Sequence, residues 1–230
     1  MSAALNGISS MATRQVLADL SAAWQAQGGE PVQIESVGGV DAAQRVQSGE
    51  EAFDVVFLAS AAIDKLQAAG CVLPGSKVDL VLSSTAVAVP AAAQQPDIST
   101  EDAVRAAVLA APSIGYSTGP SGVALQKLFE RWGIADEIKN RIVQARPGVP
   151  VGSLVASGEV ALGFQQLSEL IHVAGIQIVG TLPSAIAIDT VFSAGVVTGS
   201  VNVEAVQRLL AFMASPEAAA AKRRQGMEPA

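Results

Sequence analysis

The chain reads as an α/β fold on largely parallel sheet. Two observations predict this: short apolar runs rich in β-branched residues alternate with amphipathic helical segments along the whole length, and Ser-, Thr- and Gly-rich loops stand where strands give way to helices. Half of the 230 residues are hydrophobic and only 4% aromatic, which is ample material for a sizeable core. Gly and Pro are spread along the chain rather than clustered, so no segment reads as a linker or as low-complexity sequence.

The elements follow in order. In "TRQVLADLSAAWQAQ", Val16, Leu17, Leu20, Ala23 and Trp24 fall on one helical face. "PVQIESVGG" alternates Val32, Ile34 and Val37 with polar neighbours and stops at two glycines, as a half-buried strand does. "DAAQRVQSG" and "AAIDKLQAAG" are helices ended by Gly49 and Gly70, and "FDVVFLAS" between them is a buried strand. "KVDLVLSSTAVAVPA" is a long β-rich run, and strand and helix alternate onward through "DAVRAAVLAA", "SIGYS", "SGVALQKLFERWGI", "RIVQA", "VGSLVASG", "VALGFQQLSELI" and "IQIVGTLP". "AIDTVFSAGVV" is a strand, and the segment from Val203 to Gly226 is a closing helix pair. Trp24, Phe129, Trp132 and Phe164 occupy apolar positions and are expected in the core.

Charge and composition exclude several classes of function. The net charge is −7 and the isoelectric point about 4.7. The one basic run is Lys222-Arg223-Arg224, which argues against a nucleic-acid surface and for a small partner. Cys71 is the only cysteine and His172 the only histidine, so neither an internal disulfide nor a Cys/His metal cluster is expected. The sequence calls for no cofactor. No stretch of about 18 apolar residues exists, so membrane insertion is not expected. "MSAALNGISSMATRQ" lacks the basic and unbroken apolar regions of an export signal. A chain native at Met1 is therefore expected to be cytoplasmic, and one from which a leader has been removed, periplasmic.

Three loops resemble one another: "GISSMA" from Gly7, "SVGGVDA" from Ser36 and "STGPSGVA" from Ser117. The first turn of a helix has backbone N–H groups without internal partners and carries partial positive charge, and small residues let an anion come close. Any one loop alone is accounted for by ordinary capping through Ser9, Ser36 or Ser121 and by glycine turns. Three together point to an anion site. Neither phosphate-loop fingerprint follows a strand, and no G-x-S-x-G nucleophile turn is present.

The order of these features resembles the periplasmic solute-binding proteins of the molybdate-binding type over nearly the whole chain. It runs from a helix-opening Ser pair to a V-G-G loop, the strand F-D-V-V-F-L-A-S with its A-I-D-K-L helix, and I-G-Y-S-T-G-P-S-G. The resemblance implies a two-lobed type II binding-protein fold with a ligand cleft between the lobes. By analogy, residues 1–84 with 188–230 form the first lobe and residues 85–187 the second, with the two long β runs as crossings. It also implies a small anionic ligand and an ABC transporter permease as partner.

Carried over position by position, the ligand-binding residues implied are Ser9 and Ser10, Gly38 and Gly39, and Ser117, Thr118, Ser121 and Gly122. The chain departs from the pattern in two places: the second loop has glycines where a serine is common, and Gln165-Gln166 stand where a late tyrosine is frequent. With Arg146 in "ARPGVPVG", these amides favour an organic carboxylate over a tetrahedral oxyanion. The resembled family also has an enzyme branch similar to aconitate isomerase. That chemistry needs a group to remove and return an allylic proton, and Tyr116, Glu169 and His172 are the candidates. The absent export signal favours that branch, while the rest of the resemblance puts a solute-binding protein first, with the isomerase as the alternative.

Overall fold

The computed structural model describes residues 4–146 and 148–230. Met1, on which the expectation about the chain's start turns, lies outside them. The chain forms two compact units, the first running through Leu82 and resuming over Val191–Ala230, the second Ser83–Thr190.

The first unit opens with β1 (Leu5–Ser10), α1 (Arg14–Ala26), β2 (Val32–Val37), α2 (Gly39–Ser48), β3 (Val55–Ala59) and α3 (Ser60–Ala68). Strand β4 (Val78–Pro90) then carries the chain across the boundary. The second unit continues with α4 (Glu101–Ala110), β5 (Ile114–Tyr116), α5 (Pro120–Arg131), α6 (Ala135–Ile138), β6 (Ile142–Gln144), α7 (Val151–Ala156), β7 (Leu162–Gln166), α8 (Leu167–Leu170) and β8 (Ile176–Thr181). Strand β9 (Asp189–Val196) returns, and α9 (Val203–Ala214), α10 (Ala219–Arg224) and β10 (Met227–Pro229) close the first unit. The expected closing helix pair is α9 and α10; the three-residue β10, too short for any periodicity, pairs with β4.

In the first unit the strand order is β2-β1-β3-β9. β1 runs parallel to both β2 and β3, and β9 is antiparallel to β3. The period-two alternation of strand side chains divides the core. Leu5, Val55 and Phe57 pack with Val16, Leu17 and Leu20 of α1 and with Leu209 and Leu210 of α9. Ile8, Val56 and Leu58 pack with Val46 of α2 and Ile63 of α3.

In the second unit the order is β4-β7-β5-β6, with β8 also on β4. β5 is parallel to β6 and β7, while β4 is antiparallel to β7. One face joins Val87, Ile114, Phe164, Leu125 and Phe129, with Phe129 and Phe164 ring to ring at 6.3 Å. On the other face α7 lies very close to the sheet. A Cβ on Gly163 would come within 2.5 Å of Val155, so only glycine permits this approach.

Candidate functional site

Parallel strands end on one edge. In the first unit β1, β2 and β3 therefore bring Ser10, Val37 and Ala59 to the same side, each followed by a helical turn. The cap positions ahead of those turns are Ser10, Gly38 and Ala59, and at none does a side chain bond the first-turn N–H groups. Those donors face outward along the partial positive charge of the helix. Ser9 and Ser36 are cross-strand partners, and their hydroxyl oxygens lie 2.8 Å apart. Alternation sends Ser10 to the other face of β1, toward Gly39, whose added Cβ would be 3.6 Å from that of Ser10. The buried Ser10 hydroxyl has no hydrogen-bond partner among the described residues.

The second unit repeats the construction. Strands β5, β6 and β7 end at Tyr116, Gln144 and Gln166, again on one edge. Ser117, Thr118 and Gly119 lead into α5, with Pro120 as its first residue. Ser121 and Gly122 are buried in its first turn; Gly119, at the cap, has no side chain to bond the first-turn N–H groups, and its own N–H donates to Ser117 Oγ at 3.4 Å. Gly122 cannot be replaced in place, since a Cβ there would lie 1.7 Å from the carbonyl oxygen of Ser117. Arg146 lies exposed in the loop between β6 and α7.

Gln165 and Gln166 are 2% and 3% exposed, and alternation sends them to opposite faces of β7. The Gln165 Oε1 accepts the backbone N–H of Gly152, in the first turn of α7, at 3.1 Å. Gln166 lies opposite Thr85 of β4, and its Nε2 donates to Thr190 Oγ1 at 2.9 Å. The Gln166 Oε1 and the hydroxyls of Ser83 and Thr85 are buried without a hydrogen-bond partner among the described residues. These form a polar end to the layer whose apolar part is Val87, Phe164 and Leu125.

The three candidate proton carriers occupy different surroundings. Tyr116 is buried in the core beside Phe129, and its phenol oxygen accepts from Gln126 Nε2 at 3.0 Å. His172 is exposed in the turn after α8. Glu169 is half-buried in α8; burial pushes its carboxyl up to about 7, against a smaller opposing effect of a hydrogen bond from Gln165.

Ordinary capping does not explain the three hydroxyls that suggested the site. Ser9 lies inside β1, Ser36 inside β2, and Ser121 one residue past the start of α5. Sequence reasoning missed the start of α3 at Ser60 and the buried group of Ser83, Thr85 and Thr190. Ser60 did carry a signal, being a serine directly after the buried run "VVFLA". Ser83 and Thr85 carried none, since hydroxyls within a long strand read as ordinary alternation.

Known proteins resemble this chain at two levels. A protein named aconitate isomerase, from a Pseudomonas species, is 43% identical over 182 residues, which are 78% of this chain and 68% of that protein. Among solved structures, the periplasmic molybdate-binding protein of Azotobacter vinelandii superposes with a TM-score of 0.79 at 23% identity, covering 97% of this chain and 98% of its own. The tungstate ABC transporter structure from Geobacter sulfurreducens gives 0.75 at 15% identity, covering 95% and 97%. The structural similarities show the fold, which is that of the type II periplasmic binding proteins. The model of the family described as bacterial extracellular solute-binding protein matches residues 5–228, and this chain belongs to that family.

Proposed function

We propose that the chain binds a small unsaturated polycarboxylate of the aconitate kind and interconverts its isomers. The observation that carries the ligand class is the donor set. The starts of α2, α3 and α5 keep their first-turn N–H groups free of side-chain caps, and Ser10 adds a buried hydroxyl. In the second unit a guanidinium, Arg146, stands on the edge that also carries Ser121, and the Gln166 carboxamide there has one N–H left beyond the bond it donates to Thr190. Amide and guanidinium donors are planar and match a carboxylate, in the guanidinium case with two parallel hydrogen bonds. Several separate donor groups suit an acid with more than one carboxylate. The 43% identity to a protein named for aconitate isomerisation supports the activity.

A second reading, favoured by the family description, is a binding protein that holds the same class of anion outside the cytoplasm and hands it to an ABC transporter permease. It uses the same donors and needs no proton transfer. Titration calorimetry of the full chain against trans-aconitate, cis-aconitate, citrate, molybdate and sulfate tests the ligand class common to both. Binding of the aconitates at least tenfold tighter than of molybdate or sulfate is expected. Tight molybdate binding with no response to the carboxylates would overturn it.

A further inference from the structure

Three buried polar side chains of the second unit share one face of one sheet and hold atoms with no hydrogen-bond partner among the described residues. Thr85 and Gln166 are cross-strand partners on β4 and β7, and Ser83, two residues before Thr85, shares its face. Ser83, Thr85 and Gln166 are 0%, 1% and 3% exposed, so bulk water does not reach them, yet the two hydroxyls and the Gln166 Oε1 make no hydrogen bond. A buried group in that condition costs stability until something bonds it.

The register places these side chains at the edge where the strands end. Two residues further into the sheet, Val87 and Phe164 are partners and belong to the apolar layer with Leu125 and Phe129 of α5. Gln166 is the last residue of β7, so it and Thr85 lie on the edge side of that layer. Ser121, four residues before Leu125, is buried at the same end of α5. β7 and the Ser83–Pro90 part of β4 contain no titratable side chain. An internal water would bond the same atoms, but a place at the starting end of a 12-residue helix, where partial positive charge collects, suits an anion.

The Gln166 amide is able to present either end. Its Nε2 donates to Thr190 Oγ1 at 2.9 Å. A hydroxyl both gives and takes hydrogen bonds, so turning the amide over keeps this contact, with Thr190 donating to Oε1. The NH2 group then points where the unbonded oxygen had been, and all three residues offer donors on one face.

We propose that Ser83, Thr85 and Gln166 receive one carboxylate of the bound acid, with Thr190 as the positioning residue of the amide. The inference rests on the carboxylate class in the proposed function and holds for a binding protein and an isomerase alike. Two carboxylate oxygens offer about four acceptor sites, enough for both hydroxyls and the amide. Bonding them offsets the cost of burying these groups, and that gain appears as affinity.

The test measures, on the full chain, the calorimetric affinity for trans-aconitate and the melting temperature without ligand. Thr85→Val keeps the shape of the side chain, and Ser83→Ala removes only the hydroxyl. Each is expected to weaken binding about tenfold or more, while the melting temperature holds or rises because an apolar group replaces an unbonded buried hydroxyl. Gln166→Glu sets a second carboxylate against that of the acid and is expected to lose about a hundredfold in affinity. Thr190→Ser, which keeps the hydroxyl, should bind more tightly than Thr190→Val, which keeps the packing; the reverse order overturns the positioning role. Binding by both Thr85→Val and Ser83→Ala within about threefold of the unsubstituted chain overturns the subsite, and a lowered melting temperature beside it assigns the hydroxyls to an internal water instead. If the unsubstituted chain binds none of the carboxylates, the ligand class of the proposed function fails, and the subsite fails with it.

Discussion

Consecutive residues on a strand point to opposite faces, so Gln165 and Gln166 meet different surroundings: one is spent on the start of α7, the other joins Thr85 and Thr190. The sequence presented the pair as two equivalent amides, because nothing local says which helix packs on which face. The same limit applies to Glu169, whose partial burial depends on how the four-residue α8 packs on β7 and not on the pattern of "LSEL" itself. Its raised pKa makes a stability prediction. Below about pH 4.5 the carboxyl is protonated in both folded and unfolded chain. Between there and about 7 the unfolded chain releases the proton that the folded chain still holds. Stability falls over that window by about 1.4 kcal/mol per unit, roughly 3 kcal/mol in all, and is flat above it. Glu169→Gln should therefore melt higher than the unsubstituted chain at pH 8 and level with it near pH 4. Melting curves of both from pH 4 to pH 8 check this, and a constant difference across the range would contradict it.

At the scale of elements, the alternation of apolar runs with amphipathic helices was enough to expect parallel strands with helices on the sheet, as found in both units. It was also enough to expect helix-ending glycines, and Gly49 and Gly70 do take positive φ of 65° and 76°. The short elements escaped: α8 has four residues and β10 three, too few to show a period. The start of α5 was legible as a Ser/Gly cluster, but the role of each residue was not. Gly122 is there because its backbone touches the carbonyl of Ser117. Gly122→Ala must push the Ser117 loop and the first turn apart, and should cost about 1–3 kcal/mol together with most of the affinity for the acid. Gly39→Ala, with 3.6 Å to Ser10 and 3.9 Å to Leu58, should fold with an unchanged melting temperature. Thermal melts of the two variants side by side, with aconitate titrations, separate a close packing contact from an ordinary one.

For the molecule as a whole, an acidic chain with net charge −7 would take the proposed polyanion by local donors rather than by overall attraction. Each unit carries the same device: strands ending on one edge, with helix starts whose side chains leave the first-turn N–H groups free. That device belongs to the fold and serves binding alone equally well. Under the isomerase reading, a converting protein needs in addition a group that takes and returns a proton. The most direct test incubates the purified full chain with trans-aconitate in deuterated water at pH 7.5 and follows the proton spectrum. The account predicts appearance of cis-aconitate up to a fixed ratio, approached from either isomer, with deuterium entering the methylene position. Unchanged spectra of both isomers, at protein concentrations where calorimetry registers their binding, would contradict it.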